Sequence, residues 1–427
     1  MPEYASLPKP ELQKLRRELQ EEYARYKARG LKLDMSRGKP GADQLDLSLG
    51  MLTCVDSAAA CRAQDGTDCR NYGVLAGIPE ARQLLADMLE VSPEEVIVGG
   101  NSSLNMMYDA VARAMTHGVL GSPTPWCRLP KVRFLCPCPG YDRHFAICEH
   151  FGIEMVNVDM TPDGPDMEAV RQLAEHDPAV KGIWCVPKYS NPQGYTYSDA
   201  TVDAFAALKP AAPDFRIFWD NAYSVHHLDD HPDRLKNILD ACRRAGREDM
   251  VYIFGSTSKI TFPGAGISAL AASRANVEFI LRQMAAQTIG ADKLNQLRHV
   301  RFFGDLDGIR THMKRHAALI KPKFDTVTGL FAQNFAGTGI ASWTTPHGGY
   351  FISFDGPDGC AGRTVELCRE AGVKVTPAGA TFPYHRDPRD RNIRIAPTYP
   401  PVSELRTAIG LFCLCVKLAA VEKLLAA

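Results

Sequence analysis

The 427-residue sequence lacks a net charge and lacks an apolar run long enough to cross a membrane. Lys plus Arg and Asp plus Glu both total 49, so no overall positive field attracts nucleic acid or an anionic membrane surface. The apolar run at 408–416 is less than half of the roughly 20 residues that span a bilayer. The N-terminal segment is charged and lacks the apolar stretch of a signal peptide. We therefore expect a soluble, cytoplasmic protein with no nucleic-acid and no membrane partner.

Two motifs that would indicate other chemistry are also missing. The chain has 13 cysteines but no C-x-x-C pair, and the C-x-C pairs at 136–138 and 413–415 lie on apolar runs. We therefore expect buried thiols and no metal site. The glycine-containing turn at 98–103 reads VGGNSS, not G-x-G-x-x-G. A nicotinamide-dependent dehydrogenase is thus disfavoured.

What the sequence does contain is a regular alternation of apolar β-type runs with helical segments. The runs are predicted at 95–98, 132–136, 153–158, 180–186, 216–219, 250–254 and 267–271. Continuous apolar strands that alternate with helices are typical of a parallel sheet covered on both faces. The sequence therefore predicts an α/β fold with a large, mostly parallel, seven-stranded sheet.

The pattern changes after residue 305. A long helical stretch at 306–330 leads to short strands at 349–354, 373–376 and 392–396 and a terminal helix from 402. We predict three parts: residues 1–48, a helix and arm that pack with the small domain; 49–305, the large α/β domain; and 306–427, a small C-terminal α+β domain.

A single lysine follows one of the predicted strands. Residues 254–259 read FGSTSK, so Lys259 comes after small hydroxyl residues at the carboxyl end of a strand, where such folds bind ligands. A partly desolvated amine there would be nucleophilic towards a carbonyl. A solvated surface lysine is the alternative that this segment leaves open.

Three further segments carry polar residues at the end of a predicted strand or within one. Asn191 lies in an N-P-Q-G turn after the strand at 180–186, and Asp220 directly follows the strand at 216–219. A carboxylate after a buried strand needs a partner, and a pyridinium nitrogen is one suitable partner. Arg394, between Ile393 and Ile395, suits two-pronged binding of a carboxylate. A structural turn, a helix cap and a structural ion pair remain as the respective alternatives.

The turn at 98–103 opens a predicted helix and carries serine hydroxyls. Free backbone N–H groups at a helix N-terminus, together with hydroxyls, form a phosphate cradle. As a single motif this turn is weak evidence, and its weight comes from its place in the series.

Taken in order, these segments resemble the class I/II aminotransferases of pyridoxal-phosphate (PLP) fold type I over nearly the whole chain. SRGKP at 36–40 and STSKITFPGAG at 256–266 resemble a divergent bacterial subgroup of aspartate aminotransferases. The resemblance implies that Lys259 forms a Schiff base with PLP and then shuttles a proton. It also implies that Asp220 pairs with the pyridine nitrogen and that Tyr223 and Asn191 bond the ring 3-oxygen.

The resemblance extends to other positions of this sequence. His144 would support Asp220, and Tyr141 would stack on the ring. The phosphate would be held by Asn101, Ser102, Ser103, Ser256 and Ser258, and by Tyr72 of a neighbouring subunit, which implies a homodimer with shared sites. Arg394 would bind the substrate α-carboxylate near Gly38, with Asn191 also in the substrate site.

Two departures from the family pattern bear on the substrate and the cofactor. Gly266 follows P-G-A where common members have a phosphate-binding arginine. No arginine obviously reads a distal substrate carboxylate, for which Lys293 is the candidate by position, with Arg37 and Lys39 as rivals.

The resemblance implies transamination from an L-amino acid, aspartate by preference, to a 2-oxo acid, 2-oxoglutarate by preference. An aromatic or broad-specificity transaminase and a β-lyase or decarboxylase of the same fold are the alternatives. A PLP-binding transcriptional regulator is remote, because the chain shows no DNA-binding head and no basic patch.

Overall fold

The computed structural model describes residues 3–426. Its helices are α1 Lys9–Ala28, α2 Ala42–Asp46, α3 Pro79–Leu89, α4 Ser103–His117, α5 Asp142–His150, α6 Met167–His176, α7 Asp199–Ala207, α8 Ile238–Arg244, α9 Arg274–Met284, α10 Lys293–Phe303, α11 Leu306–Phe335, α12 Ala361–Glu370 and α13 Val402–Ala426. Its strands are β1 Leu33–Asp34, β2 Val96–Gly99, β3 Arg133–Cys138, β4 Glu154–Thr161, β5 Gly164–Pro165, β6 Val180–Cys185, β7 Arg216–Asp220, β8 Val251–Ser256, β9 Ser268–Ala272, β10 Ser342–Trp343, β11 Ile352–Asp355, β12 Val373–Lys374 and β13 Asn392–Ile395.

A large mixed sheet forms the centre of the molecule, in the order β2-β9-β8-β7-β6-β3-β4-β5. Strands β8, β7, β6, β3 and β4 pair in parallel, whereas β9 is antiparallel to both of its neighbours. The predicted α/β fold with seven mostly parallel strands is confirmed, and the two-residue β5 pairs antiparallel with the edge of β4.

The sheet is buried on both faces, as its continuous apolar strands predict. Along β7, Ile217 and Trp219 pack into one apolar cluster, while Phe218 packs into another on the opposite face. Because side chains alternate along a strand, the helices on each side cover one of these two clusters. The carboxyl ends of β2, β6, β7 and β8 then lie at the same edge of the sheet.

The remaining strands form two small sheets that are separate from the large one. Strands β10, β11 and β13 form an antiparallel sheet, and β1 pairs in parallel with β12. Helix α1 packs against α13, and its Leu12 and Leu19 share an apolar cluster with residues of α11 and α13. The domain boundaries 1–48, 49–305 and 306–427 remain predictions, and residues 1, 2 and 427 lie outside the described part.

The cysteines of the two C-x-C sequence pairs are buried, as predicted. Cys136, Cys138, Cys413 and Cys415 are inaccessible to solvent, and burial raises the pKa of each thiol. Between residues 3 and 426, none of the helices combines the length and the apolar character that a membrane span requires.

Candidate active site

Polar side chains from β7 and β8 meet at the carboxyl edge of the large sheet. Asp220 ends β7, and Lys259 follows the end of β8. The Lys259 Nζ atom lies 4.9 Å from the centre of the Tyr223 ring. Burial lowers the pKa of Lys259 from its usual 10.5, the Asp220 charge raises it, and the Arg394 charge lowers it. The amine is therefore easier to deprotonate than an exposed lysine, as a nucleophile requires.

Only one of the two carboxylate oxygens of Asp220 has a hydrogen-bond partner among the described residues. Its Oδ2 atom lies 3.0 Å from His144 Nε2, and both side chains are almost fully buried. The His144 ring in turn stacks on Trp184, with centroids 4.4 Å apart. The second oxygen, Oδ1, is buried with no hydrogen-bond partner among the described residues. A buried carboxylate oxygen in this state is suited to accept a hydrogen bond from an N–H group of a ligand.

Arg394 lies in a packed polar cluster next to this carboxylate. Its Nη1 donates to Asp142 Oδ1 at 2.7 Å and to Asn191 Oδ1 at 3.2 Å. The guanidinium stands 4.8 Å from the centre of the Phe351 ring, and its Nε is buried without a partner. One edge of the fork thus remains available to a carboxylate ligand.

Gly38 packs closely against the Phe351 ring that supports this arginine. A Cβ atom at position 38 would lie 2.2 Å from Phe351 Cζ, so a larger residue would displace the ring. The structure therefore brings the loop around Gly38 next to Arg394 through the Phe351 ring.

The predicted phosphate cradle surrounds the start of α4. Ser102 caps the helix by accepting from the Leu104 N–H at 3.2 Å. The Ser258 hydroxyl donates to the Asn101 carbonyl at 2.7 Å and lies 3.0 Å from Ser256 Oγ. Backbone N–H groups at this end of the 15-residue helix and the nearby hydroxyls form a site suited to an anion.

Gly266 lies against this cradle in place of the expected arginine. A Cβ atom there would be 3.1 Å from both the Asn101 carbonyl and Thr257 Oγ1, and 3.3 Å from the Ser258 nitrogen. The backbone therefore approaches the cradle more closely than a side chain at position 266 would allow.

Other predicted residues lie in different surroundings. Tyr141 packs edge-on to His144 at 4.9 Å, and burial raises the pKa of its hydroxyl. Tyr72 is 82% exposed. Lys293 is buried at the start of α10. Arg37 is exposed.

Three residues of the site are absent from the sequence-based prediction: Asp142, Trp184 and Phe351. Asp142 follows Tyr141 directly, and Trp184 lies in the predicted strand at 180–186. Because Asp142 and Arg394 are 252 positions apart, no local pattern could pair them. An acidic residue beside a predicted ligand-binding tyrosine was the only available signal.

The donor set fits pyridoxal phosphate. An amine of lowered pKa, an orphaned buried carboxylate oxygen, an anion cradle and a half-free arginine lie at one edge of the sheet. These groups would hold, respectively, an aldehyde, a protonated ring nitrogen, a phosphate and a substrate carboxylate.

Comparison with known proteins agrees with this geometry. A family model described as aspartate amino-transferase matches residues 7–427. A Mycolicibacterium smegmatis protein that carries an aminotransferase name is 51% identical over 407 residues, which cover 95% of each chain. An aspartate aminotransferase of Corynebacterium glutamicum is 44% identical over 405 residues, 95% of this chain and 93% of the relative.

Solved structures give the same result. A crystal structure of an aspartate transaminase from Corynebacterium glutamicum matches with a TM-score of 0.96, at 42% identity over 99% of both chains. The α-aminoadipate aminotransferase of Thermus thermophilus, at 18% identity over 94% and 95% of the two chains, matches with a TM-score of 0.72 and shares the fold. The chain is therefore a transaminase with the fold type I architecture, and it belongs to the aspartate aminotransferase family.

Proposed function

We propose that the chain moves the amino group of an L-amino acid, aspartate, to 2-oxoglutarate, with pyridoxal phosphate attached covalently to Lys259. The observation that carries this proposal is the buried, unpartnered Oδ1 of Asp220 near the buried Lys259 amine. When bound, the cofactor would supply an aldehyde carbon that takes up the amino group and a ring that withdraws electrons.

Each side chain would have a separate task. Asp220, supported by His144, would hold the proton on the ring nitrogen. Lys259 would remove and return the proton at the substrate Cα, because burial lowers the pKa of its amine and so favours the unprotonated form that a base requires. Asn191 and Tyr223 would bond the ring oxygen, and Arg394 would orient the substrate through its α-carboxylate.

Aspartate is preferred because the Corynebacterium glutamicum relative, 44% identical over 95% of this chain, is named an aspartate aminotransferase. Lys293, Arg37 and Lys39 remain the candidates for the distal carboxylate. Lys39 lies in the same loop as Gly38, and its Nζ is 4.0 Å from the centre of the Tyr399 ring. This loop, which also carries Arg37, adjoins Arg394 through Phe351, and this favours Lys39 and Arg37 over Lys293.

The test of the cofactor attachment is the Lys259→Ala variant. It should lose both steady turnover and the visible absorption of covalently bound cofactor, because no amine remains to form the bond. Lys417→Ala is the matched control, since burial also lowers the pKa of Lys417, whose amine bonds Asn334 on a distant helix. Steady turnover in Lys259→Ala would contradict the proposal.

The donor is tested by the absorption spectrum of dialysed enzyme before and after adding aspartate, alanine or phenylalanine. Aspartate alone should convert the bound cofactor to its aminated form and release oxaloacetate. A larger response to phenylalanine would favour an aromatic transaminase. Release of ammonia or carbon dioxide would favour a lyase or a decarboxylase.

We further propose that the active enzyme is a homodimer whose sites include Tyr72 of the other subunit. The 82% exposure of this tyrosine favours a contact outside its own chain. Lys259→Ala and Tyr72→Ala subunits should each be deficient alone. When the two variants are unfolded and refolded together, each hybrid dimer has one site with an intact Lys259 from one chain and an intact Tyr72 from the other, and activity should return there. If each site used the Tyr72 of its own chain, no activity would return.

A further inference from the structure

The turn that carries Lys259 rests on a network of buried polar side chains that have no role in the site described above. We define this segment, Thr257–Thr261, as the lysine turn. Three backbone hydrogen bonds hold it. The Ile260 and Thr261 N–H groups both donate to the Thr257 carbonyl at 2.9 Å, and the Thr257 N–H group donates to the Ile267 carbonyl at 2.8 Å. The side chains of the network come from α2, α10, α11 and Tyr350, which lies two residues before β11.

His299 of α10 supports both ends of the lysine turn. Its Nε2 lies 3.0 Å from the hydroxyls of Thr257 and of Thr261, and its Nδ1 lies 2.8 Å from the Asn295 carbonyl. A carbonyl can only accept, so Nδ1 carries the proton and Nε2 of the neutral ring accepts from the threonines. The ring thus bonds two hydroxyls that lie on either side of Lys259.

A pair of histidines on α11 supports the middle of the turn. His312 Nε2 lies 2.9 Å from the Ile260 carbonyl and 3.1 Å from His316 Nε2. The two residues are four positions apart and therefore lie on the same helix face. Both rings are buried, so the carbonyl has no water as an alternative partner.

Gln44 and Tyr350 complete the network on the far side. Gln44 Oε1 accepts from the Gly41 N–H at 3.1 Å, so its amide nitrogen faces His316 Nδ1 at 3.1 Å and the Tyr350 hydroxyl at 3.0 Å. The Tyr350 hydroxyl then donates to the carbonyl of Lys259 itself at 3.3 Å. His316 is therefore the neutral tautomer that carries its proton on Nε2. Because His312 Nε2 also carries its proton in order to donate to the Ile260 carbonyl, the two Nε2 atoms do not bond each other, and the His316 Nε2–H group faces the same carbonyl.

We propose that His299, His312 and His316 are positioning residues that hold the lysine turn, through its hydroxyls and carbonyls, in the geometry that Lys259 requires. The proposal rests on the proposed role of Lys259 and adds the residues that set its position. Burial lowers the pKa of His299 and of His316 to about 4, so both rings are neutral at pH 7, as their bonding roles require. A lysine side chain has four rotatable bonds, so a fixed backbone is needed to direct its amine.

The first test is hydrogen exchange of the Thr257, Ile260 and Thr261 amides in the full chain, with cofactor and after its removal. His299→Leu and His316→Leu should each accelerate exchange there about tenfold, the effect of losing roughly one buried hydrogen bond. His299→Gln and His316→Gln place an amide near the lost ring nitrogen and should restore most of the protection. Tyr350→Phe, which removes only a hydroxyl, should accelerate exchange even if the leucine variants fold poorly.

Ile320→Ala is the matched control. Ile320 lies one turn beyond His316 on α11 and is buried in the apolar cluster, so its truncation weakens the same helix without touching the lysine turn. Exchange at the three amides should then match that of the unaltered protein. Equal acceleration in Ile320→Ala, or no acceleration in the histidine and tyrosine variants, would overturn the proposal.

The second test uses the loaded enzyme. In His316→Leu the pH at which the visible spectrum of the bound cofactor changes should move by about half a unit. kcat should fall about tenfold while KM for aspartate stays within about twofold, because Arg394 makes no bond to the network. An unchanged spectrum and kcat would count against positioning. If Lys259 did not hold the cofactor, the spectrum would be absent in every variant while the exchange result still stood.

Discussion

At the scale of the residue, the site depends on opposed charges around one amine. Burial lowers the pKa of Lys259 most, the carboxylate of Asp220 raises it, and the guanidinium of Arg394 lowers it. One oxygen of Asp220 lies 3.0 Å from His144 Nε2, and the other is buried with no hydrogen-bond partner among the described residues. The carboxylate and the arginine therefore tune the same proton in opposite directions.

Two substitutions that each remove one charge should move the pKa of Lys259 in opposite directions. Asp220→Asn removes the stabilising negative charge and should lower the pKa of Lys259 in the cofactor-free protein, whereas Arg394→Met removes a like charge and should raise it. The measurement is the rate of reductive methylation of Lys259 against pH, followed by peptide mass spectrometry. Shifts of the same sign in both variants would show that packing changes, and not these charges, control the amine.

At the scale of the element, the segment between Lys259 and β9 crosses the start of α4 as bare backbone. Gly266 lies here, close to the Asn101 carbonyl and the Ser258 nitrogen. The loss of a phosphate-binding arginine is thus accompanied by a closer approach of two backbone segments. Serine hydroxyls and helix N–H groups are the anion donors that remain at this point.

Gly266→Ala should weaken cofactor retention. The added Cβ would be 3.1 Å from the Asn101 carbonyl, so the cradle must open by a few tenths of an ångström. We expect the cofactor to dissociate about tenfold faster on dialysis, the effect of roughly one weakened charge-assisted bond. Gly264→Ala is the control, because a Cβ there meets nothing within 4 Å. Equal retention in the two variants would contradict this account of the cradle.

The elements that sequence patterns predict well are those that depend on local burial. The seven main strands and the terminal helix from Val402 follow from apolar runs and periodicity. The predicted strand at 373–376 is only Val373–Lys374, because its sole partner, β1, is two residues long. The helix predicted at 306–330 continues to Phe335, and Pro322 lies within it. Pairing partners and helix ends depend on distant packing, which local patterns do not encode.

At the scale of the whole molecule, buried neutral histidines link separate parts of the chain. His299 and His316 connect α10, α11 and the N-terminal arm to the lysine turn. Sequence reasoning predicted site roles for Lys259 and Asp220 from their positions at strand ends and for Arg394 from its position within a strand, but it did not single out these rings. Each histidine bonds residues 38 to 272 positions away, and apart from the four-residue spacing of His312 and His316 the sequence carries no sign of the network.

The same rings predict how stability depends on pH. The pKa of His299 falls from 6.5 in the unfolded chain to about 4 in the folded one, so the unfolded state binds more protons between these values. The stabilisation is present above pH 6.5 and is lost as the pH falls towards 4. Between pH 6.5 and 5, one ring accounts for about 2 kcal/mol of the free energy of unfolding.

This dependence is measured by urea unfolding of the native chain and of His299→Gln at both pH values. The variant should lose less stability on acidification, because it no longer has a ring that the unfolded state protonates. Identical losses in the two proteins would mean that His299 already binds its proton in the folded state.

The central claim is that Lys259 is the residue that holds pyridoxal phosphate, and borohydride reduction tests it most directly. Reduction of the holoenzyme, digestion and mass spectrometry should find the phosphopyridoxyl group on the peptide that contains Lys259 and on no other lysine. Label on a different lysine, or an unmodified Lys259 in fully loaded protein, would contradict the account.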